Sequence, residues 1–360
     1  MDSSNRRIGI IGVGFGAQVY VPGLQSEGWE VAALCSRSRD KATKVAEAAG
    51  IPDVHTDPME LIRRDDLTAV AITTPPAAHH ELWIAALKAG KHVLCEKPFA
   101  MNAKEAAAMR DAAEASGRTA MVGHEFRYTP QRAYIKQLLG EGYIGRFQFC
   151  TIELFLDRYV TAQPRPLAWM AVKSEGGGVL GALGSHYIDG LRHWFGDVAS
   201  VSGNLAVLRP DLIDTATKRI VKSETDDTFV FTLQFKNGGI ATMSSSFAAT
   251  PARGAKIVVM GERGTLIAEQ TGPNPPENGV VIGSRDGSPL EALETPKRYT
   301  PFTDARDPRL MAFRMLVRDF TAGIEQGTSP APNFTDGLRC QEVLDAVRES
   351  SETGRTVKLA

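Results

Sequence analysis

Arg7-Ile8-Gly9-Ile10-Ile11-Gly12-Val13-Gly14-Phe15-Gly16-Ala17, close to the start of the 360-residue sequence, decides how its first third is read. Arg7 to Ile11 is a short apolar run with β-branched residues, the pattern of a strand buried on both faces. A helix is predicted from about Ala17 to Ser26. Between them, Gly12 permits a tight turn and Gly14 lets the backbone approach a pyrophosphate. Ala17, at the third small position, is expected to let helix and strand pack closely. Phe15 and Gly16 complete the loop, and the helix N-terminus offers amide donors and a positive dipole end. A glycine pattern of this kind is weak by itself. Its place between a first strand and a helix, with a second strand following, points to a dinucleotide.

Outward from this loop, strands and helices alternate. Glu30 to Cys35, Thr68 to Thr73, His92 to Cys95 and Thr119 to Gly123 read as strands. Helices are predicted from Ser38 to Ala49 with Gly50 as terminator, from Pro75-Pro76 to Gly90, and from the cap Asn102 to Gly117. This alternation predicts a parallel, doubly wound sheet. Beyond it the pattern changes. Phe147 to Ile152 is strand-like, and Phe229, Phe231, Leu233 and Phe235 alternate with polar or small residues. Asn237-Gly238 then joins this run to Ile240–Met243 as a hairpin. A second hairpin is expected between Ile257–Met260 and Thr265–Ala268. Residues 271–308, rich in Pro, Gly and charge, read as a long surface excursion. Leu310, Phe313, Val317, Phe320 and Ile324, then Cys340, Val343, Leu344 and Val347, follow helical spacing and are expected to pack a core. The fold class is therefore α/β: a dinucleotide-binding domain over 1–125, and an α+β domain over 126–360 with an antiparallel or mixed sheet. The last helix is expected to pack back on the first domain.

Composition narrows the function. With 41 Lys+Arg against 42 Asp+Glu, the sequence lacks the global basic footprint of a nucleic-acid binder. No run of about 18 apolar residues predicts a membrane span, and the first residues show no signal-peptide core. Cys35, Cys95, Cys150 and Cys340 are far apart and form no metal-type pair, so no metal is expected and a reducing cytoplasm is.

Two further places carry chemistry. An NAD enzyme usually sets an acid about 20 residues past the glycine loop, on the ribose 2′-hydroxyl. Here stand Ser36-Arg37-Ser38-Arg39. Arg37 suits a 2′-phosphate and Ser36 a hydrogen bond to it, which favours NADP; Asp40 would serve NAD if the strand ran further. Glu96-Lys97-Pro98 stands at the C-terminal end of a predicted parallel strand, where ligands of such sheets bind. A partly desolvated lysine there can act as acid or base, with Glu96 holding it. Pro98 fixes the backbone.

Gly12-x-Gly14-x-x-Ala17, Thr73-Thr74-Pro75-Pro76 with His79, and Ala89-Gly90-Lys91-His92-Val93-Leu94-Cys95-Glu96-Lys97-Pro98 resemble the glucose–fructose oxidoreductase/inositol dehydrogenase/rhizopine catabolism (Gfo/Idh/MocA) family. The C-terminal run Gly337-Leu338-Arg339-Cys340-Gln341 through Gly354-Arg355 is similar too. The resemblance covers essentially the whole sequence. It implies a Rossmann domain followed by an α/β domain with a large, open-faced, mainly antiparallel sheet, through which members often pair into dimers or tetramers. It implies an NAD(P)-dependent oxidoreductase of sugars, inositols or related cyclic alcohols. Lys97 would be the catalytic lysine, and Thr73, Thr74, Pro75, His79 and Glu96 would line the cofactor.

Gly176-Gly177-Gly178-Val179-Leu180-Gly181-Ala182-Leu183-Gly184-Ser185-His186 is the second informative stretch. It reads as glycines giving way to a helix capped near Ser185, with His186 in the first turn. The family pattern is Asp, three residues, His. His186 is present, but the Asp position is Ala182. An imidazole there can move a proton near neutral pH, or make only a structural hydrogen bond. His124, Arg127, Tyr128 and Trp169 are the further polar or aromatic groups expected to compensate beside a substrate. The expectation is hydride exchange with a sugar, cyclic polyol or dihydrodiol carbon. The rival is a non-catalytic NAD(P)-binding sensor, kept open by Ala182.

Overall fold

The computed structural model describes residues 6–161, 163–270 and 280–360. Six strands form the first sheet: β1 (Arg7–Ile11), β2 (Glu30–Cys35), β3 (Asp53–His55), β4 (Ala69–Ile72), β5 (His92–Cys95) and β6 (Ala120–Val122). All pairings are parallel, in the order β3-β2-β1-β4-β5-β6. The connections carry α1 (Val21–Ser26), α2 (Arg39–Ala49), α3 (Pro58–Ile62), α4 (His79–Lys88) and α5 (Ala103–Ser116). The strand order reverses between β1 and β4, so the loops after these two strands border the crevice where such sheets take ligands.

The sequence dictates much of this locally. Ile8, Ile10, Val70, Ile72 and Leu94 are wholly buried, each contributing roughly 1.5–3 kcal/mol. Ser38 caps α2 through its side chain and Gly50 closes it in the left-handed conformation. Asn102 Oδ1 accepts from Glu105 N at 2.9 Å and caps α5. β3 and α3 are additions to the expectation. Asp53-Val54-His55 has no apolar run, and becomes an edge strand only by pairing with Ala33–Cys35.

The first helix departs from its expected form. It opens as a π-turn over Gly16–Tyr20 and becomes α-helical only at Val21. Gly16 is buried there, and a Cβ on it would lie 2.5 Å from Thr73 Oγ1 and 3.2 Å from Ile10 Cγ2. Gly16 therefore allows a close approach of helix to strands. Wide helical turns of this kind are frequent at functional sites.

The remaining elements are α6 (Pro130–Gly140), β7 (Phe147–Phe155), β8 (Arg165–Pro166), α7 (Ser185–Phe195), β9 (Val198–Ala206), β10 (Asp211–Ile213), β11 (Ile220–Lys222), β12 (Thr228–Phe235), β13 (Ile240–Ser246), β14 (Gly254–Gly261), β15 (Gly264–Gln270), β16 (Val281–Arg285), β17 (Glu291–Leu293), α8 (Leu310–Gln326), α9 (Phe334–Thr353) and β18 (Val357–Lys358). Nine of these strands form one sheet ordered β17-β16-β15-β14-β7-β13-β12-β9-β18. Only the β7–β13 pair is parallel. Both expected hairpins are present, β12–β13 and β14–β15. Both apolar helical stripes are buried.

The expected surface excursion over 271–308 is corrected in part. β16 and β17 lie within it and extend the sheet antiparallel from β15. Val281 and Gly283 point inward, alternating with half-buried Ile282 and Ser284. Residues 271–279 lie outside the described residues. Two compact units result, Met1–Glu125 with Asp304–Gln341, and Phe126–Thr303 with Glu342–Ala360.

Candidate active site

The glycine loop lies at the C-terminal end of β1. Gly12 has φ +114°, and a Cβ on it would lie 2.6 Å from both Thr73 O and Thr73 Oγ1. Thr73 locks the loop from the other side: its hydroxyl lies 3.1 Å from Ile11 O and 3.0 Å from Gly12 O and donates to this pair. Gly14 differs. A Cβ there would meet nothing within 4 Å, so no contact within the chain requires a glycine at this position. A ligand lying against the backbone would. Thr74 Oγ1 is buried with no hydrogen-bond partner among the described residues, a polar atom that a bound nucleotide would satisfy. The residues present therefore fit a dinucleotide, with Gly12, Gly14, Phe15 and Gly16 forming its cradle.

The turn after β2 holds Ser36, half-buried, and Arg37, exposed. Ser36 Oγ accepts from Ser38 N at 3.2 Å, which shapes the turn.

Lys97 follows β5 directly. Its Nζ lies 3.9 Å from Glu96 Oε2, with the two side chains only 14% and 7% exposed. Tyr20, wholly buried in the π-turn, donates its hydroxyl to Glu96 Oε1 at 2.8 Å. Gly123, just past β6, sits against both. A Cβ there would lie 2.7 Å from Glu96 Oε1 and 2.8 Å from Tyr20 Oη. Two residues on, Glu125 is also buried. Burial pushes its carboxyl up to about 8, helped by the charge of Glu96 and opposed by Lys97 and Arg309. Burial likewise raises Glu96, against the pull of Lys97 and the Tyr20 hydrogen bond. Arg309, ahead of α8, faces the same acids. Its fork is held by Asp307 at 2.8 and 2.6 Å, and its guanidinium lies 5.0 Å from the Phe15 ring centre.

His79 is wholly buried. Its Nδ1 lies 3.0 Å from Pro98 O and its Nε2 2.9 Å from Thr74 O. It therefore ties the β4 loop to the Lys97-Pro98 loop, and burial lowers its proton affinity. Whatever it does for a cofactor passes through these loops, since its ring has no exposed surface. Pro75 and Thr74 are half-buried beside it.

In the second unit, His186 is 3% exposed. Its ring stacks on Phe126 with centroids 3.8 Å apart and planes 9° apart. The helix carrying it starts earlier than expected. Leu180–Gly184 is a π-turn running straight into α7, so Ser185 is no cap. The capping group is Asp226, whose Oδ2 accepts from Leu180 N at 2.7 Å. Ala182 lies within this π-turn. One turn beyond His186, Asp189 takes both arms of Arg127, at 2.7 and 2.6 Å. The Arg127 fork is thus engaged by a helix neighbour of His186. Tyr128 is half-buried and Trp169 is 37% exposed, in a short turn of 3-10 helix. His124 is buried at the end of the first unit.

The structure thus brings together Lys97 with Glu96, and the glycine loop with Thr73. Sequence reasoning missed Tyr20, Glu125 and Arg309. Among the described residues no cluster of His, Cys, Asp and Glu could hold a metal ion, and no helix is long and apolar enough to cross a membrane.

Comparison with known proteins agrees with this architecture. The profile of the oxidoreductase family, NAD-binding Rossmann fold, matches residues 6–124. That of the oxidoreductase family, C-terminal alpha/beta domain, matches residues 136–359. The chain is 29% identical to an uncharacterized oxidoreductase of Synechocystis, over 97% of this chain and 95% of that one. It is 27% identical to levoglucosan dehydrogenase of Pseudarthrobacter phenanthrenivorans, over 96% of each. The solved structure of a levoglucosan dehydrogenase in complex with NADH and L-sorbose superposes with a TM-score of 0.89 at 25% identity, over 99% of both chains. An oxidoreductase domain protein from Kribbella flavida gives 0.88 at 27% identity, over 99% of this chain and 100% of that one. With both halves matched in sequence and in fold, the chain belongs to the Gfo/Idh/MocA family of NAD-binding oxidoreductases.

Proposed function

We propose that this protein is an NADP-preferring dehydrogenase or reductase that exchanges hydride with a carbinol or carbonyl carbon of a sugar, cyclic polyol or dihydrodiol. The observation that carries this reading is Lys97 at the end of β5, close to a buried carboxylate and on the ligand side of a dinucleotide-type sheet. The Gly12–Gly16 cradle would hold the pyrophosphate of a dinucleotide, whose nicotinamide would supply the hydride chemistry. Lys97 Nζ accepts the hydroxyl proton in oxidation and returns it in reduction. Thr73, Thr74 and Pro75 shape the floor of the cradle, with His79 fixing their loop to that of Lys97. His186 orients the substrate or shares the proton traffic, and Arg127, Tyr128 and Trp169 belong to the substrate side. Levoglucosan dehydrogenase, a full-length relative, supports the carbohydrate class by analogy. Incubation with a panel of sugars, polyols and dihydrodiols, read by nicotinamide absorbance, tests the activity. Cofactor binding with no turnover across the whole panel would replace this reading with a sensor.

The cofactor preference rests on Ser36 and Arg37 standing where an acid would hold a 2′-hydroxyl. Arg37→Ala is expected to weaken NADP binding by about tenfold, the loss of one charge-assisted contact, and to leave NAD binding nearly unchanged. Titration of both nucleotides against both proteins checks this. Equal affinity for NAD and NADP in the unaltered protein would remove the assignment.

Ala182 marks a changed site in this reading, with His186 bearing more of the chemistry. An orienting hydrogen bond is worth about 1.4 kcal/mol, or about tenfold in rate. His186→Ala is expected to lower kcat by more than this. Full activity in that variant would show that His186 is only a packing residue on Phe126.

Self-association through the large sheet belongs to the same reading. The β12 face bearing Phe229, Phe231 and Leu233 is buried, while Val230 and Ile240 are about 40% and 39% exposed on the other. An open face of this kind suits a second copy in a homodimer or homotetramer.

A further inference from the structure

Gly12 to Tyr20, the glycine loop and the π-turn after it, carry no basic residue. A dinucleotide in this cradle brings a pyrophosphate of about two negative charges, whereas a helix N-terminus offers roughly half a positive one. Arg309, from the same compact unit, touches the loop. It immediately precedes α8, and its guanidinium carbon lies 5.0 Å from the Phe15 ring centre, within the range of a cation–π contact. Its Nη2 donates to Gln18 Oε1, in the π-turn, at 3.3 Å. The fork is held by its inner edge: Nε donates to Asp307 Oδ1 at 2.8 Å and Nη2 to Asp307 Oδ2 at 2.6 Å. Asp307 is itself fixed, because its Oδ1 accepts from Arg309 N at 2.9 Å and its carbonyl from Leu310 N at 3.0 Å in the turn that opens α8. A guanidinium gripped along Nε and Nη2 presents Nη1 on its opposite edge. Nη1 has no hydrogen-bond partner among the described residues. The side chain is 20% exposed, so solvent reaches it.

We propose that Arg309 is a phosphate-binding residue of the dinucleotide site: the open edge of its guanidinium takes the pyrophosphate, Asp307 aims the fork, and Phe15 supports its face. The ligand is marked independently of Arg309. A Cβ on Gly14 would meet nothing within 4 Å, and the buried Thr74 Oγ1 has no hydrogen-bond partner among the described residues. Arg309's role rests on the dinucleotide reading of the glycine loop and not on the hydride chemistry. It also differs from the role given to Arg37. A 2′-phosphate distinguishes NADP from NAD, whereas the pyrophosphate is common to both, so Arg309 serves either nucleotide. Asp307 does not cancel this role. It is 19% exposed, so water screens its charge, and it occupies only the inner edge of the fork. The site is then completed from far along the chain, by the segment Asp304–Gln341 that returns to the first unit.

Nucleotide binding to the full-length protein, measured by calorimetry without substrate, tests this. The probes are NAD, NADP, ADP-ribose, which keeps the pyrophosphate and lacks the nicotinamide, and adenosine, which has neither. Arg309→Gln should weaken the first three by about tenfold each, the loss of one charge-assisted contact, and adenosine by less than about twofold. Arg309→Lys keeps a point charge without the fork and should fall between wild type and Arg309→Gln. Raising the salt from about 0.05 M to about 0.5 M should narrow the gap between wild type and Arg309→Gln, because a charge acting on a phosphate is screened and a packing defect in the loop is not. Affinities for NAD, NADP and ADP-ribose that stay within about twofold of wild type in Arg309→Gln overturn the proposal. So does a loss confined to NADP, which would put Arg309 on the 2′-phosphate, or a loss that extends equally to adenosine. A gap that salt leaves unchanged also overturns it, and reduces Arg309 to a support for Phe15. If wild type binds neither nucleotide, the dinucleotide reading falls together with Arg309. The expected losses in a protein that turns over no alcohol would strike the enzymatic reading and leave Arg309 in its role.

Discussion

Lys97→Met is expected to lower turnover by about 10²-fold or more while the protein still folds and still binds nucleotide. The magnitude is that of losing a positioned general acid or base. Methionine keeps the length and the apolar stem of the side chain, which is 14% exposed, and removes only the ammonium group, the one proposed to move the proton. The obvious objection is that Glu96 would then be a buried anion without its cation. The structure answers it, because Tyr20 still donates to Glu96 Oε1, and Glu96 can take up a proton as buried acids do. The fold therefore has a low-cost response, and the loss should appear in kcat rather than in expression or melting. Steady-state rates with nucleotide titration on the same preparation check this. Turnover within about threefold of wild type would place the proton transfer on another group, with His186 the first to examine. Loss of nucleotide binding together with rate would show instead that Lys97 builds the cradle.

The parts of this site legible in the sequence are those that are local. Strand, glycine loop and Glu96-Lys97-Pro98 are each contiguous, and turn chemistry with strand position places them without tertiary information. Tyr20 is different. It lies 76 residues from Glu96, and its role depends on the π-turn that turns it inward, which no local pattern announces. The same π-turn holds Gly16, which lies close against Thr73 and Ile10. Asp226, which caps the second π-turn across 46 residues, was illegible for the same reason, and Ser185 looked like the cap because serine often is one. β16 was hidden by its composition. Val281-Ile282-Gly283-Ser284-Arg285 has a weak strand signal and becomes a strand by pairing with β15. Arg309 reaches the acids only because the chain returns to the first unit after residue 303.

The Arg127–Asp189 pair should prove the costliest electrostatic contact to break. Asp189 is 1% exposed and takes two hydrogen bonds from a guanidinium that is itself buried. A pair so enclosed adds little net stability compared with an apolar pair of the same shape. Removing one member, however, takes from a buried charge its two-pronged partner, at about 3–5 kcal/mol. Asp189→Ala is therefore expected to lower the unfolding free energy by that amount in urea denaturation. Arg127→Met with Asp189→Leu should recover most of it, because the stranded charge is gone. Function separates the two variants. Asp189 lies one turn beyond His186 on α7, and Arg127 follows Phe126, the ring on which His186 stacks. The pair thus ties the helix that carries His186 to the segment whose ring it stacks on, and in the proposed reading this aims the imidazole. The double variant should regain stability without regaining turnover, since packing alone does not restore that aim. If it regains both, the ion pair is a contact of the fold only. If Asp189→Ala unfolds no more easily than wild type, the charge left behind has found water, and the enclosure described here is not maintained in solution.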